Sequence, residues 1–488
     1  MNGASASPPS ASSSPQVVLN YRQTVVSTHL LNELVSILGE RHVSSAASIN
    51  PDDLHDESLH PEPREPLAVV RPQSRADVVA LAKFASTHNV PITARGSGTG
   101  LSGGAKPVEG GLVLSFADMN QVISINTSDH VAVVQPGITL RELDAALIST
   151  GLHYPVYPGE LSGSLGGNIN TNAGGMRAVR HGVTRQHVLG LEVVLANGDV
   201  LRTGGPVVKS SSGYDLTQLL VGSEGTLALV TEITLKLSPR FAYSATVLVP
   251  YSSLEEVATT VPTIISAGLQ PSILEYLDIL TMSSVTTRAN LELGVPQDVS
   301  EKALAYLVIV LETRTREQLD RDIEDLGTLV LASGALDVFV LPDGSGQRLI
   351  EAREQAFWVA KEAGAHEVID VVVPRSSVPT YLANIATLAT TYESFIAGCG
   401  HVGDGNVHMS VFQPDLEKRE AFLLALFTLG VEMGGAISGE HGIGRDKQKP
   451  FLVLTDEVNL AVQRRIKSIF DPQNILNPYR LTDERPLP

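Results

Sequence analysis

Two glycine-rich stretches constrain this chain more than any other feature. The first is Arg95-Gly-Ser-Gly-Thr-Gly-Leu-Ser-Gly-Gly104, and the second runs from Pro158-Gly-Glu-Leu-Ser-Gly to Asn172-Ala-Gly-Gly175. Glycine this dense destabilises a helix or strand interior. It suits a loop whose successive backbone N–H groups surround an anion, because glycine takes either sign of φ and lets a ligand approach the main chain. Gly98-Thr-Gly100-Leu-Ser-Gly103 fits the G-x-G-x-x-G pattern, but a Rossmann fingerprint must open a helix. The residues that follow, Gly104-Ala-Lys-Pro-Val-Glu-Gly-Gly111, cannot be one, so that reading is rejected. Two such loops in one region suit a long, bent ligand with a diphosphate at its middle.

Around these loops, residues 65–240 read as strand-rich. Strands are expected at 67–71, 91–95, 112–116, 131–135, 191–195 and 227–237, with a helix over 75–88. A second helix starts at Thr139, where Glu142 three residues on completes a capping box. After Pro239 longer helices (253–267, 316–332, 347–363, 378–390, 416–430) alternate with strands (245–249, 305–311, 336–340, 367–373, 394–398, 407–412). A last helix is expected over 456–470. The pattern is α+β: a glycine-loop domain followed by an α/β cap with a sheet and a C-terminal helical segment.

The 488 residues allow two to four packed units. A net charge of −18 argues against nucleic acid or anionic lipid as partner, since both need a basic face. The single cysteine excludes an intramolecular disulfide. No apolar run is long enough to span a membrane. Residues 1–16 are Ser/Pro/Ala-rich with no basic residue before Arg22, unlike a secretory or transit leader. They read as a disordered lead-in, and the protein as cytoplasmic.

The strongest chemical constellation is Gly400-His401-Val-Gly-Asp-Gly-Asn-Val-His408. If Val402 pairs with Val407 across a four-residue turn, His401 lies directly opposite His408 with Cβ atoms about 5 Å apart. Two imidazoles so placed can share a metal ion. Downstream, Gly439-Glu440-His441-Gly442 offers a carboxylate and a third imidazole, of which one is expected to join the set because adjacent side chains diverge. Such donors suit Zn²⁺, Mn²⁺ or Fe²⁺ and leave positions open for substrate. Cys399, two residues before His401, is expected to be a small buried strand residue ahead of a group facing the site, and Trp358 a core residue ahead of a pocket wall.

The run RGSGTGLSGG, then PGELSGSLGGNINTNAGG, then SSGYDLTQLLVGSEGTLALVTEITLKL closely resembles the FAD domain of the vanillyl-alcohol oxidase/para-cresol methylhydroxylase flavoproteins. With the histidine motifs included, the likeness extends to the branch containing D-lactate dehydrogenases, the flavin subunit of glycolate oxidase and D-2-hydroxyglutarate dehydrogenase. The resemblance implies FAD across Arg95, Gly96, Ser97, Gly98, Thr99, Gly100, Leu101 and Ser102. Pro158, Gly159, Gly163, Ser164, Gly167 and Asn168, followed by Thr171, Ala173, Gly174 and Gly175, would lie near the pyrophosphate and flavin. Glu224 and Gly225 would lie near the adenosine end, with Val230 and Asn477 also at the cofactor. Thr99 stands where some members carry the histidine that attaches FAD, so noncovalent FAD is implied. His181 replaces a tyrosine common in relatives.

The same resemblance implies a divalent metal on His401, His408 and Glu440, with His441 as catalytic base, Asn406 in support and Arg353 on the substrate carboxylate. Lys447 matches a recurrent lysine of the site. It also implies domains at 17–240 (FAD) and 241–445 (substrate and metal), and a segment, 446–488, returning to the FAD domain. Positions that hold a second carboxylate in the hydroxyglutarate branch are Phe357 and Val368 here. A lactate-like D-2-hydroxyacid with a small or apolar side chain is therefore expected, with hydride transfer to flavin N5. The electron acceptor is an unidentified quinone, cytochrome or flavoprotein, and a homodimer is left open. The rival readings are another flavin oxidase or synthase of the same fold, and a non-catalytic subunit of a glycolate-oxidase-like complex.

Overall fold

A computed structural model describes residues 15–62 and 64–483. The expected N-terminal disorder falls mostly outside them; Pro15 and Gln16 instead open a helix, Pro15–Leu38.

The first half builds two sheets. Strands Ala68–Val70, Leu112–Ser115 and Ile92–Arg95 are parallel, and Val43–Ser44 joins antiparallel at the edge. The helix Arg75–His88 packs its Val78, Leu81 and Ala85 face into the same core. Ser74 caps that helix by accepting from Asp77 N at 3.3 Å. The second sheet is antiparallel, in the order Val122–Asn126, Val131–Val134, Leu229–Lys236, Val188–Val194, Val200–Gly204. Its first and last strands are absent from the sequence reading: both are edge strands whose side chains are mostly exposed, which removes the hydrophobic signal. The Thr139–Glu142 capping box is present, opening the helix Leu140–Leu147. The second glycine stretch is not loop throughout, because Leu165–Thr171 is a short helix capped by Ser164.

The second half is one seven-stranded antiparallel sheet, ordered Phe339–Leu341, Tyr243–Tyr251, Ala305–Thr313, Ile273–Asp278, Phe395–Gly400, Asn406–Phe412, Glu367–Val372. The strand Ile273–Asp278 was not expected. It runs directly into the helix Ile279–Arg288 with no glycine or proline between, and Asp278 marks the boundary by accepting from Thr281 N at 2.7 Å. The helix read over 347–363 is two, Asp343–Glu354 and Ala356–Glu362, broken at Gln355. Arg353 therefore ends one helix while Phe357 and Trp358 begin the next.

The C-terminal residues pack back on the first sheet. Ile475 and Leu476 are buried there, and Asn477 N donates to Ile92 O at 2.7 Å. Among the described residues no helix is long and apolar enough to cross a membrane.

Candidate active site

One cavity of about 510 Å³ runs from the glycine loops to the histidines. The two loops meet at its floor, where Ser97 N donates to Ser164 Oγ at 3.3 Å. Residues 95–102 line it, with Pro158, Gly159, Gly163, Ser164, Gly167 and Asn168 opposite. Thr171, Ala173, Glu224, Gly225, Val230 and Asn477 complete this end. The Arg95 guanidinium is turned into the protein, donating to Asp52 O at 2.6 Å and Gly96 O at 3.1 Å, so it braces the loop. Glu224 is likewise engaged: its carboxylate accepts from Ile443 N and Gly444 N, both at 2.7 Å. Asn477 Nδ2 donates to Glu224 O at 2.6 Å.

Two expected cofactor residues are elsewhere. Gly174 and Gly175 are not on the cavity wall. A Cβ on Gly175, whose φ is +104°, would lie 1.9 Å from Tyr157 O, and one on Gly174 would lie 2.9 Å from Glu440 Oε2. Gly174 lets the second loop pass against Glu440, and Gly175 lets it fold back on Tyr157 and Pro158. A long cradle of glycine backbone whose Arg95 and Glu224 side chains are both turned to protein partners fits a bound dinucleotide cofactor.

The histidine hairpin is offset from the expected register. Cys399, not His401, lies opposite His408, and His401 belongs to the turn. The slip is two residues, so His408 keeps its face of the sheet. The His401 and His408 rings still meet edge to face, centroids 4.8 Å apart. Glu440 Oε1 sits 3.1 Å from His401 Nε2 and 3.3 Å from His408 Nε2. Its three donor atoms lie within 4.8 Å of one another, as do those of the overlapping set Asp370, His408 and His441. The Asp370 carboxylate is already occupied, accepting from Asn406 Nδ2 (2.9 Å), Ser438 Oγ (2.7 Å), Glu440 N (3.1 Å) and His441 N (2.8 Å). In the other set the Nε2 atoms of His401 and His408 both face Glu440 Oε1, and two imidazoles with one carboxylate fit a divalent ion.

Two buried acids organise this cluster, and the sequence reading missed both. Asp370 fixes the backbone of Glu440 and His441. Glu275, fully buried, contacts His401 Nδ1 with one oxygen and accepts from Arg353 Nε at 2.7 Å with the other. Each is a single acid inside an apolar strand, Val-Ile-Asp370-Val-Val and Ile-Leu-Glu275-Tyr-Leu. A charge there is costly unless paired, and that cost was the available signal. Burial pushes the Glu275 carboxyl up, but His401 and Arg353 outweigh it and hold it below its ordinary value. Burial likewise lowers His401, and Glu275 and Glu440 reverse this, so the imidazole sits in a field that attracts positive charge.

The Arg353 side chain is 13% exposed. It lines the cavity, and its Nη2 has no hydrogen-bond partner among the described residues. The His441 ring stacks on His408 at 5.1 Å, and burial pushes its pKa down to about 4. Lys447 does not reach the cavity wall. It lies behind His441 with Nζ 3.7 Å from Asp370 Oδ2. Phe357 and Val368 line the far end, and Trp358 does so too, outside every hydrophobic core cluster.

A cradle of this kind joined to a His–His–Glu cluster beneath the seven-stranded sheet suits a flavoprotein oxidoreductase, and the relatives of this chain are of that class. Residues 66–204 match the family described as FAD binding domain, and residues 241–481 match FAD linked oxidases, C-terminal domain. The chain belongs to this family of FAD-linked oxidoreductases. It is 51% identical over 442 residues to the uncharacterized FAD-linked oxidoreductase Rv2280 of Mycobacterium tuberculosis, covering 91% of this chain and 96% of the relative. Glycolate oxidase subunit GlcD of Bacillus subtilis is 38% identical (85% of this chain, 89% of the relative). A D-lactate dehydrogenase of Archaeoglobus fulgidus is 36% identical (86% and 92%). The fold matches p-cresol methylhydroxylase, solved with substrate bound, at a TM-score of 0.76 and 18% identity, over 93% of this chain and 96% of that one.

Proposed function

We propose that the protein oxidises a D-2-hydroxyacid with one carboxylate to the 2-oxoacid, using noncovalent FAD and a divalent metal, zinc or manganese before iron. The continuous cavity joining the glycine cradle to the histidine cluster carries this reading. Bound FAD would supply the acceptor for the C2 hydride, and the ion on His401, His408 and Glu440 would supply a Lewis acid for the 2-hydroxyl.

The chain's own groups do the rest. Arg353, held by Glu275 through Nε alone, offers the rest of its guanidinium, on the cavity wall, to the substrate carboxylate. His441 is uncharged at neutral pH because burial lowers its pKa to about 4, so it can accept the hydroxyl proton. Its Nδ1 faces Asp370 at 3.8 Å, leaving Nε2 as the accepting atom. Lys447 acts through Asp370 as a positioning residue. Thr99 lines the cradle with a hydroxyl in place of a linking imidazole. Reoxidation falls to a separate acceptor: a quinone, a cytochrome or another flavoprotein.

The test is anaerobic addition of D-lactate to the purified flavin-bound protein, with and without complete metal removal, following absorbance near about 450 nm. Bleaching that needs the metal is the expected result. Bleaching unaffected by metal removal contradicts the metal role. No bleaching by any 2-hydroxyacid contradicts the activity.

A further inference from the structure

The sheet face that carries His408 continues well beyond it. Across the strands Glu367–Val372, Asn406–Phe412 and Phe395–Gly400, directly opposed residues form rows on that face. The first row is Asp370, His408 and Cys399. The second is Val368, Ser410 and Ala397, and beyond it Phe412 faces Phe395. Residues four apart along a strand are roughly 13 Å apart, so the face forms a trough of about that length starting at His408.

Its floor is small and uncharged in the middle. Its far end is aromatic, with Phe395 and Phe412 centroids 5.5 Å apart and Phe395 54% exposed. Phe357 and Trp358, packed edge to face at 5.3 Å, line the same cavity from the helix Ala356–Glu362. Lys361 lies over both rings and donates to Glu57 at 2.7 Å, so its charge is already paired. Arg95 and Arg353 are the only arginines or lysines among the described residues lining the cavity, and Arg95 is committed to backbone carbonyls.

Resting on the 2-hydroxyacid reading above, we infer that this trough holds the alkyl or aryl tail of the substrate. The preferred substrates are then medium- to long-chain or aromatic 2-hydroxyacids, with Ala397 and Val368 setting the width of the trough. Lactate would fill only the end of the trough at His408. A second carboxylate in the trough would be desolvated without a cation. An alkyl tail would instead exchange water for an apolar wall, worth about 0.8 kcal/mol per buried methylene, or roughly a factor of four in affinity.

The experiment is anaerobic stopped-flow reduction of the flavin-bound, metal-loaded protein by D-lactate, D-2-hydroxybutanoate, D-2-hydroxyhexanoate and D-2-hydroxyoctanoate. The expected result is a Kd that tightens with each methylene, reaching roughly 50-fold between D-lactate and D-2-hydroxyhexanoate. Ala397→Phe should collapse the octanoate-to-lactate ratio. Phe395→Ala, a change at an exposed side chain, should weaken only the longest acid and serves if Ala397→Phe does not fold. A flat dependence on chain length overturns the inference while leaving the 2-hydroxyacid reading intact. So does a flat dependence accompanied by slower reoxidation by a hydrophobic quinone in Ala397→Phe, which would assign the trough to the acceptor. Flavin that no acid reduces would instead sink the reading on which the inference rests.

Discussion

Replacing Glu275 with glutamine should damage two functions with one nearly isosteric change. The wild-type carboxylate is fully buried and serves two cationic donors, His401 Nδ1 on one oxygen and Arg353 Nε, at 2.7 Å, on the other. Glutamine keeps one acceptor and turns an NH₂ group toward the other donor. The donor left facing it loses its partner in a dry site, costing about 1–3 kcal/mol. Removing the charge also leaves Arg353 without its closest counter-ion, and breaking a buried pair typically costs about 3–5 kcal/mol. At the metal, losing an outer partner of a ligating histidine typically weakens binding by roughly 10–100-fold. Glu275→Gln should therefore be half-occupied, in a chelator-buffered titration, only at a free metal concentration roughly 10–100 times higher than wild type. Its KM for D-lactate should also rise by at least about tenfold, because Arg353 is no longer held in place. Both are measurable on the flavin-bound protein, by chelator competition and by steady-state reduction of an artificial acceptor. A variant that folds with unchanged metal affinity and unchanged KM would refute the idea that one carboxylate joins the metal ligand to the substrate arginine.

His441→Ala should keep FAD and metal but lose roughly 10²–10⁴ in the flavin reduction rate, the usual contribution of a positioned base; normal reduction would place the base elsewhere. Gly444→Ala should release FAD and lower the melting temperature, because at φ +54° its Cβ would fall 1.8 Å from Ser102 O and push the metal loop off the glycine cradle; flavin content and thermal denaturation read this out. Stability should fall as pH drops from about 6.5 toward 4. Burial depresses His153 to about 4 and His181 to about 3, from 6.5. The unfolded chain therefore takes up protons first, and the stability present above 6.5 is lost on acidification. The His153 part is on the order of 3 kcal/mol, and a His153→Leu variant should show a flatter melting curve against pH; an equal slope would contradict this.

Much of the fold was legible where local chemistry is self-sufficient. The helices Arg75–His88 and Arg316–Ala332 matched to the residue, since each has a Ser or Thr cap and an apolar stripe at helical spacing. The reading failed where the signal is not local. Edge strands 122–126 and 200–204 bury too little to show alternation, and Ile273–Asp278 merges with its helix in one apolar run. The hairpin register slipped because Gly403, Asp404 and Gly405 permit more than one turn length. It slipped by two, and a period of two returns every side chain to the same face, so the convergence of His401 and His408 survived the error.

The sequence by itself determined the kinds of chemistry. Glycine density set where backbone must wrap a ligand, and imidazoles and a carboxylate in Gly-flanked turns set where a metal can sit. Only the tertiary structure decided which groups are free to act. Asp370 is engaged by four donors from neighbouring segments, while Arg353 keeps a bare Nη2 because Glu275 holds only its Nε. Availability depends on partners brought from distant strands into a buried site, and no spacing along the chain records that.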